Sequence, residues 1–237
     1  QPDYRHPETG EFTLPWVLLH AIKDYTDMAA HLERHPAMHC TVNFVPVLLD
    51  QIDDYAEQFA SRRWRDPLLR MAARAPSAQW LAAERDWLLD MAFRCHLPTM
   101  LEPFPHFRRL RDLQRSCQVL GCGSEAYLGN NYFTDLATWC LLAWTGESLR
   151  RESPLIATLM AKGSHFRQDE RMTLLDELGA AIGSLIGRYR TLADAGRVEL
   201  SCTPQAHPLA PLLIDFQSAR EAWPSCPMPR PPSYAGG

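Results

Sequence analysis

Between Pro15 and Pro36 the apolar positions fall three and four residues apart: Leu18, Ile22, Tyr25, Met28 with Ala29, and Leu32 make one stripe. That spacing predicts a helix opening at Pro15, whose missing N–H costs nothing in a first turn, and closing near His35-Pro36. The polar, turn-rich stretch 1–14 before it predicts a loop. Cys40 to Val45 is short and rich in β-formers, so a strand is expected; Pro46 closes it and opens a helix through Leu48, Leu49, Ile52, Tyr55 and Phe59. From Ser61 to about Ala195 the pattern is almost wholly helical, in stretches near 66–75, 78–95, 99–118, 132–145, 148–162 and 168–195 broken by prolines and glycines. Gly196 reads as a helix C-cap, 197–202 (RVELSC) alternates as a strand, 203–208 is a loop and about 209–222 a short helix. Prolines at 224, 227, 229, 231 and 232 leave the tail no regular structure.

Strands separated by helices give an α/β chain, because parallel strands need crossover connections. Two strands are too few for a barrel or a doubly wound sheet. The chain therefore reads as a fragment of a larger fold, with a helical insertion over 61–195.

Composition narrows the function. The chain has 237 residues, 46% hydrophobic and 22% charged, which is ordinary globular usage. A net charge of -4 argues against a nucleic-acid-coating protein, which needs a basic patch. Of 24 basic residues only Lys23 and Lys162 are lysines, a mark of genome composition. Seven cysteines without short regular spacing are unlike a secreted disulfide framework, so a reducing cytoplasm is expected. No apolar run reaches the length of a membrane span, and the polar start is no signal peptide, although a segment is expected to precede Gln1 because no methionine stands there.

Most potential motifs have a plain structural reading. His31, His35 and His39 recur every four residues, but Leu32 stands where H-E-x-x-H needs glutamate and Pro36 ends the helix, so no metal site is expected. Cys117 and Cys122 lack a second pair. The glycines of 121–125 fall at the wrong offsets for a nucleophile elbow or a phosphate turn. Gly179, Gly183 and Gly187 suggest close helix packing, and Phe133, Trp139, Leu142 and Trp144 read as core at helical spacing. Asp50, Asp53 and Asp54 read as a solvated helix face.

Glu199 is different. On its strand Glu199 and Ser201 point to one face, Val198 and Leu200 to the other. In a barrel that carboxylate would be largely enclosed and would need a ligand, an arginine or a histidine such as His207; on an edge strand it would stand in water. Both readings remain open.

Three segments together resemble glycoside hydrolase family 57. Gln1-Pro2, Tyr4-Arg5, Thr9-Gly10-Glu11 and 14–25 (LPWVLLHAIKDY) are similar to the family's first region, which begins His-x-His-Gln-Pro, with the histidines expected just before Gln1. The stretch 41–49 (TVNFVPVLL) resembles its second strand and helix. Gly196 to Ser201, with Thr203-Pro204 and His207-Pro208, resembles its second motif, and 234–237 the stretch that follows. The resemblance covers both ends, while the helical middle matches in length and character.

The resemblance implies the N-terminal part of a (β/α)7 barrel, here residues 1–237 of one catalytic domain. It implies a retaining enzyme acting on α-1,4-glucans by α-amylase-like hydrolysis or glucan transfer, without a metal or other cofactor and with no nucleic acid or membrane partner. The family's nucleophile glutamate and acid/base aspartate belong to motifs expected beyond Gly237, so this chain alone is expected to be inactive. Active sites of such barrels lie at the C-terminal ends of strands, which brings in Gln1, Asn43, Glu199 and His207 as hydroxyl-binding residues and Trp16 as a stacking candidate. The competing expectation is a non-catalytic helical carbohydrate-binding or interaction protein. A metal-dependent polysaccharide deacetylase also uses a distorted barrel, but its ligand spacing is missing.

Overall fold

The computed structural model describes residues 2–121, 123, 127–205 and 208–230. Strands β1 (Cys40–Phe44) and β2 (Val198–Cys202) pair in parallel, with Cys40 opposite Val198 and Phe44 opposite Cys202. An isolated antiparallel bridge between Arg5 and Phe12 folds the opening loop into a small hairpin that the sequence pattern did not predict.

The opening helix is interrupted. α1 (Trp16–His20) passes through a π-helical turn, Ala21–Tyr25, into α2 (Thr26–Arg34). A π turn inserts an extra residue and rotates the apolar stripe. Ala29 and Leu32 are buried as the stripe predicts and Thr26 and Ala30 are buried beside them, while Met28, expected on that stripe, is exposed.

Helices α3 (Pro46–Ser61) and α11 (Gln168–Asp194) are the long struts flanking the sheet. Between them come α4 (Pro67–Ala72), α5 (Ala82–Met91), α6 (Leu97–Met100), α7 (Pro105–Leu120), α8 (Asn130–Trp144), α9 (Glu147–Glu152) and α10 (Pro154–Lys162). Proline explains why expected helices are split: Pro105 starts α7 inside the expected 99–118, and Pro154 starts α10 inside 148–162, where the Ser153 hydroxyl caps the Ile156 N–H at 3.1 Å. The short C-terminal elements are α12 (Ala210–Ile214), a 3-10 turn (Phe216–Ser218) and α13 (Ala219–Ala222), where one helix was expected.

α8 is apolar all round and buried from Leu136 to Trp144, as befits the central helix of the insertion. Phe133, Trp139, Leu142 and Trp144 are thus core. The Trp139 indole N–H donates to the Gly163 carbonyl at 2.7 Å. Gly163 has φ 79° and ends α10; a Cβ there would run into the His106 ring. Of the three spaced glycines only Gly179 serves close packing: a Cβ on it would stand 2.8 Å from the Phe59 side chain, whereas Gly183 and Gly187 have nothing within 4 Å. The close neighbour is a side chain and not the backbone the spacing suggested.

Three contacts fix α2 and β2 against α11. Arg188 grips the Glu33 carboxylate with two hydrogen bonds, 2.8 and 2.7 Å. The Tyr189 hydroxyl donates to the Tyr25 carbonyl at 2.9 Å. Arg197, just ahead of β2, donates to the carbonyls of Leu32 and of His35, the latter at 2.8 Å, and so satisfies the C-terminal end of α2.

Candidate functional site

Period-two alternation gives the sheet two unlike faces. One carries Cys40, Val42 and Phe44 beside Val198, Leu200 and Cys202. It packs toward α2, α3 and α11, where Phe44 meets the Tyr189 ring edge-on at 5.2 Å. A small apolar cavity of about 70 Å³ remains there among Tyr25, Val42, Phe44, Leu48, Ile52 and Tyr189.

The other face is polar and open. Thr41 lies opposite Glu199 and Asn43 opposite Ser201, and all four are exposed. The Thr41 hydroxyl donates to Glu199 Oε2 at 3.0 Å, and the Ser201 hydroxyl donates to Asn43 Oδ1 at 3.0 Å. These rungs hold the carboxylate and the amide side by side while leaving each with free hydrogen-bonding capacity.

The loops after both strands meet at one end of this face. Thr203 N–H donates to the Phe44 carbonyl and Val47 N–H to the Gln205 carbonyl, both at 3.3 Å. Gln205 Nε2 donates to Asp50 Oδ2 at 2.8 Å. Buried Gln51, one turn into α3, takes the Tyr4 N–H at 3.0 Å and donates to the Pro2 carbonyl at 3.1 Å, so the opening loop is pinned next to the C-terminal end of β1.

Asn43 and Glu199 come together on one face, with Glu199 in water and Thr41 as its partner. Gln1 and His207 lie outside the described residues. Trp16 belongs to a different cluster: half-buried on α1, its ring lies 5.8 Å from Trp144 and 6.4 Å from His20. Sequence reasoning missed Thr41, which alternation along β1 would have paired with Asn43, and Gln51, which carries no signal because its role is to bond backbone distant in sequence. Asp50 and Asp53 are exposed as expected, but Asp54 is mostly covered and takes Arg65 at 2.8 Å. His31 and His35 stack 6.4 Å apart, and His39 Nδ1 meets the Gly196 carbonyl at 3.1 Å. Among the described residues no group of three or more His, Cys, Asp or Glu side chains is arranged to hold a metal ion.

Chemically, the face offers one carboxylate, one amide and two hydroxyls within a few rungs. That set suits a polyhydroxylated ligand. Cleavage with retention needs a pair of carboxyl groups roughly 5 to 5.5 Å apart, and Glu199 is the single carboxylate on these two strands.

No curated protein and no solved structure matches the chain. The sequence model of Glycosyl hydrolase family 57 matches residues 1–225, nearly the whole length and including both strands. The chain belongs to glycosyl hydrolase family 57.

Proposed function

We propose that residues 1–237 form the N-terminal part of a (β/α)7 catalytic barrel, with 61–195 as a helical insertion. In this reading the enzyme is a retaining one that acts on α-1,4-glucans in the cytoplasm, by hydrolysis or by glucan transfer. Family membership supports a glycan substrate. The observation that carries the finer reading is the two-faced parallel sheet: its apolar side faces helices, as on the outside of a barrel, and its polar side with Asn43 and Glu199 is left for the lumen. Unpaired thiols at all six described cysteines accord with a reducing compartment.

In this proposal Gln1, Asn43, Glu199 and His207 bind sugar hydroxyls, and Trp16 offers a stacking surface. The attacking glutamate and the proton-donating aspartate come from outside residues 1–237, and no metal takes part. Amylose turnover, followed by thin-layer analysis, is expected only when the chain is extended through its natural open reading frame. Glu199→Gln in that extended chain should lower kcat/KM at least tenfold, the loss of a charged hydrogen bond worth about 1.5–3 kcal/mol. Unchanged kinetics would remove Glu199 from the site. Glucan binding without turnover in the extended chain would favour a non-catalytic carbohydrate-binding protein.

A further inference from the structure

Three features meet at the junction of α1 and α2. The first is the π-helical turn Ala21–Tyr25, a geometry that recurs at functional positions. The second is a histidine–carboxylate pair built by that turn: His20 Nδ1 lies 2.5 Å from Asp24 Oδ2, and Lys23 Nζ donates to Asp24 Oδ1 at 2.6 Å. The third is an aromatic surround. The His20 ring stands edge-on to Trp144 at 5.2 Å, stacks on Tyr25 at 6.1 Å, and has Trp16 at 6.4 Å.

The chemistry of the pair fixes which ring nitrogen is available. Burial works to raise the Asp24 pKa, but the hydrogen bonds from Lys23 and His20 prevail and hold it below the usual carboxylate range. An ionised carboxylate can only accept, so in neutral His20 the proton sits on Nδ1 and Nε2 keeps its lone pair. Nε2 has no hydrogen-bond partner among the described residues, and the His20 side chain is 40% exposed. An oriented acceptor beside half-buried aromatic rings matches a pyranose, which presents hydroxyl donors at its rim and an apolar face to stack.

We infer that His20 is a sugar-binding residue, accepting a hydroxyl proton through Nε2 next to Trp16, with Asp24 as the positioning residue that sets its tautomer. This rests on the glucan reading of the strand face and adds a contact point on α1, outside that face. A purely structural i,i+4 pair would fix the helix end equally well, so the test must read the ring itself.

The experiment is heteronuclear NMR of the labelled 237-residue chain titrated with maltotriose. Free His20 should show a protonated Nδ1 and an unprotonated Nε2, and the Nε2 resonance should move saturably with maltotriose. His20→Ala should weaken maltotriose binding about fivefold, the worth of one neutral hydrogen bond. Asp24→Ala should abolish the tautomer preference, while Asp24→Asn, which still accepts from Nδ1–H, should preserve most of it. If maltotriose moves Asn43 but not His20, or His20→Ala binds as tightly as the parent chain, the inference is overturned and the strand-face reading survives. If no resonance moves, both fall.

Discussion

Trp139→Ala is expected to destabilise the chain by about 4 kcal/mol, within the range for emptying a buried aromatic site. The indole is 1% exposed and its N–H satisfies the Gly163 carbonyl at 2.7 Å. Its ring stacks on Phe107 of α7 at 5.9 Å and lies against Phe104, which caps α7, at 5.7 Å, so α7, α8 and the α10 C-terminal turn share this one side chain. Removal leaves a void those helices cannot close and a buried carbonyl without its donor. Against a typical total stability of about 5–15 kcal/mol, that loss takes the chain close to unfolding. Trp139→Phe keeps a ring and loses the hydrogen bond, so about 1–3 kcal/mol is expected. Urea denaturation of both variants checks this; a loss below about 1 kcal/mol for alanine would contradict the central place given to α8.

The second large effect depends on pH. Asp66 caps α4, accepting Leu68 and Leu69 N–H at 2.8 and 3.2 Å, and takes the Tyr55 hydroxyl at 2.6 Å, all in full burial. Burial pushes its carboxyl from 3.8 up to about 6, against the opposing hydrogen bonds from Tyr55, Leu69 and Leu68. The folded value is raised above the unfolded one. The native state therefore binds the proton more tightly, and this contribution is fully present below pH 3.8 and is lost as pH rises through about 6. The interval corresponds to ~3 kcal/mol. Asp66→Asn should remove that pH dependence while keeping an oxygen for the cap, so parent and variant stabilities should diverge between about pH 4 and 7. Asp66→Ala, which strips the cap and orphans the Tyr55 hydroxyl, should cost about 2–4 kcal/mol near pH 4, and that cost should shrink as pH rises through about 6. Parallel pH profiles for parent and Asp66→Asn would show that this carboxyl does not titrate as described.

Much of the fold was legible because it rests on periodicity. Both strands, the long helix ending near Ala195 and the buried α8 follow from spacing alone, and the alternation of Val198, Glu199, Leu200 and Ser201 already marked two unlike faces. What escaped was non-local or irregular. The π turn is invisible because the stripe Leu18, Ile22, Tyr25, Met28 with Ala29, Leu32 fits an uninterrupted helix equally well; only tertiary packing decides that Ala30 goes inside beside Ala29 and Met28 stays out. The Arg5–Phe12 bridge and Gln51 join residues whose partners are set by tertiary contact. Helix splits at Pro105 and Pro154 were readable from proline chemistry but were smoothed over by the continuous apolar pattern around them. Glu199 was singled out by strand alternation and Asn43 through family resemblance, whereas the Thr41 and Ser201 hydroxyls that hold them follow from the parallel register, which a sequence does not display.

That register links fold to function. The helices cover Val198 and half-bury Val42 and Phe44 on the apolar face of the sheet, while Leu200, Cys40 and Cys202 stay exposed, and the polar face presents Asn43 and Glu199 together. The measurement that tests this account most directly is calorimetric titration of maltoheptaose into the 237-residue chain, its Glu199→Gln variant and its Asn43→Ala variant, with far-UV circular dichroism as a check on folding. The account predicts saturable binding by the parent chain and affinity lowered about tenfold or more in Glu199→Gln, and several-fold in Asn43→Ala, with unchanged secondary structure. Equal affinity in all three, or no binding by the parent, would contradict it.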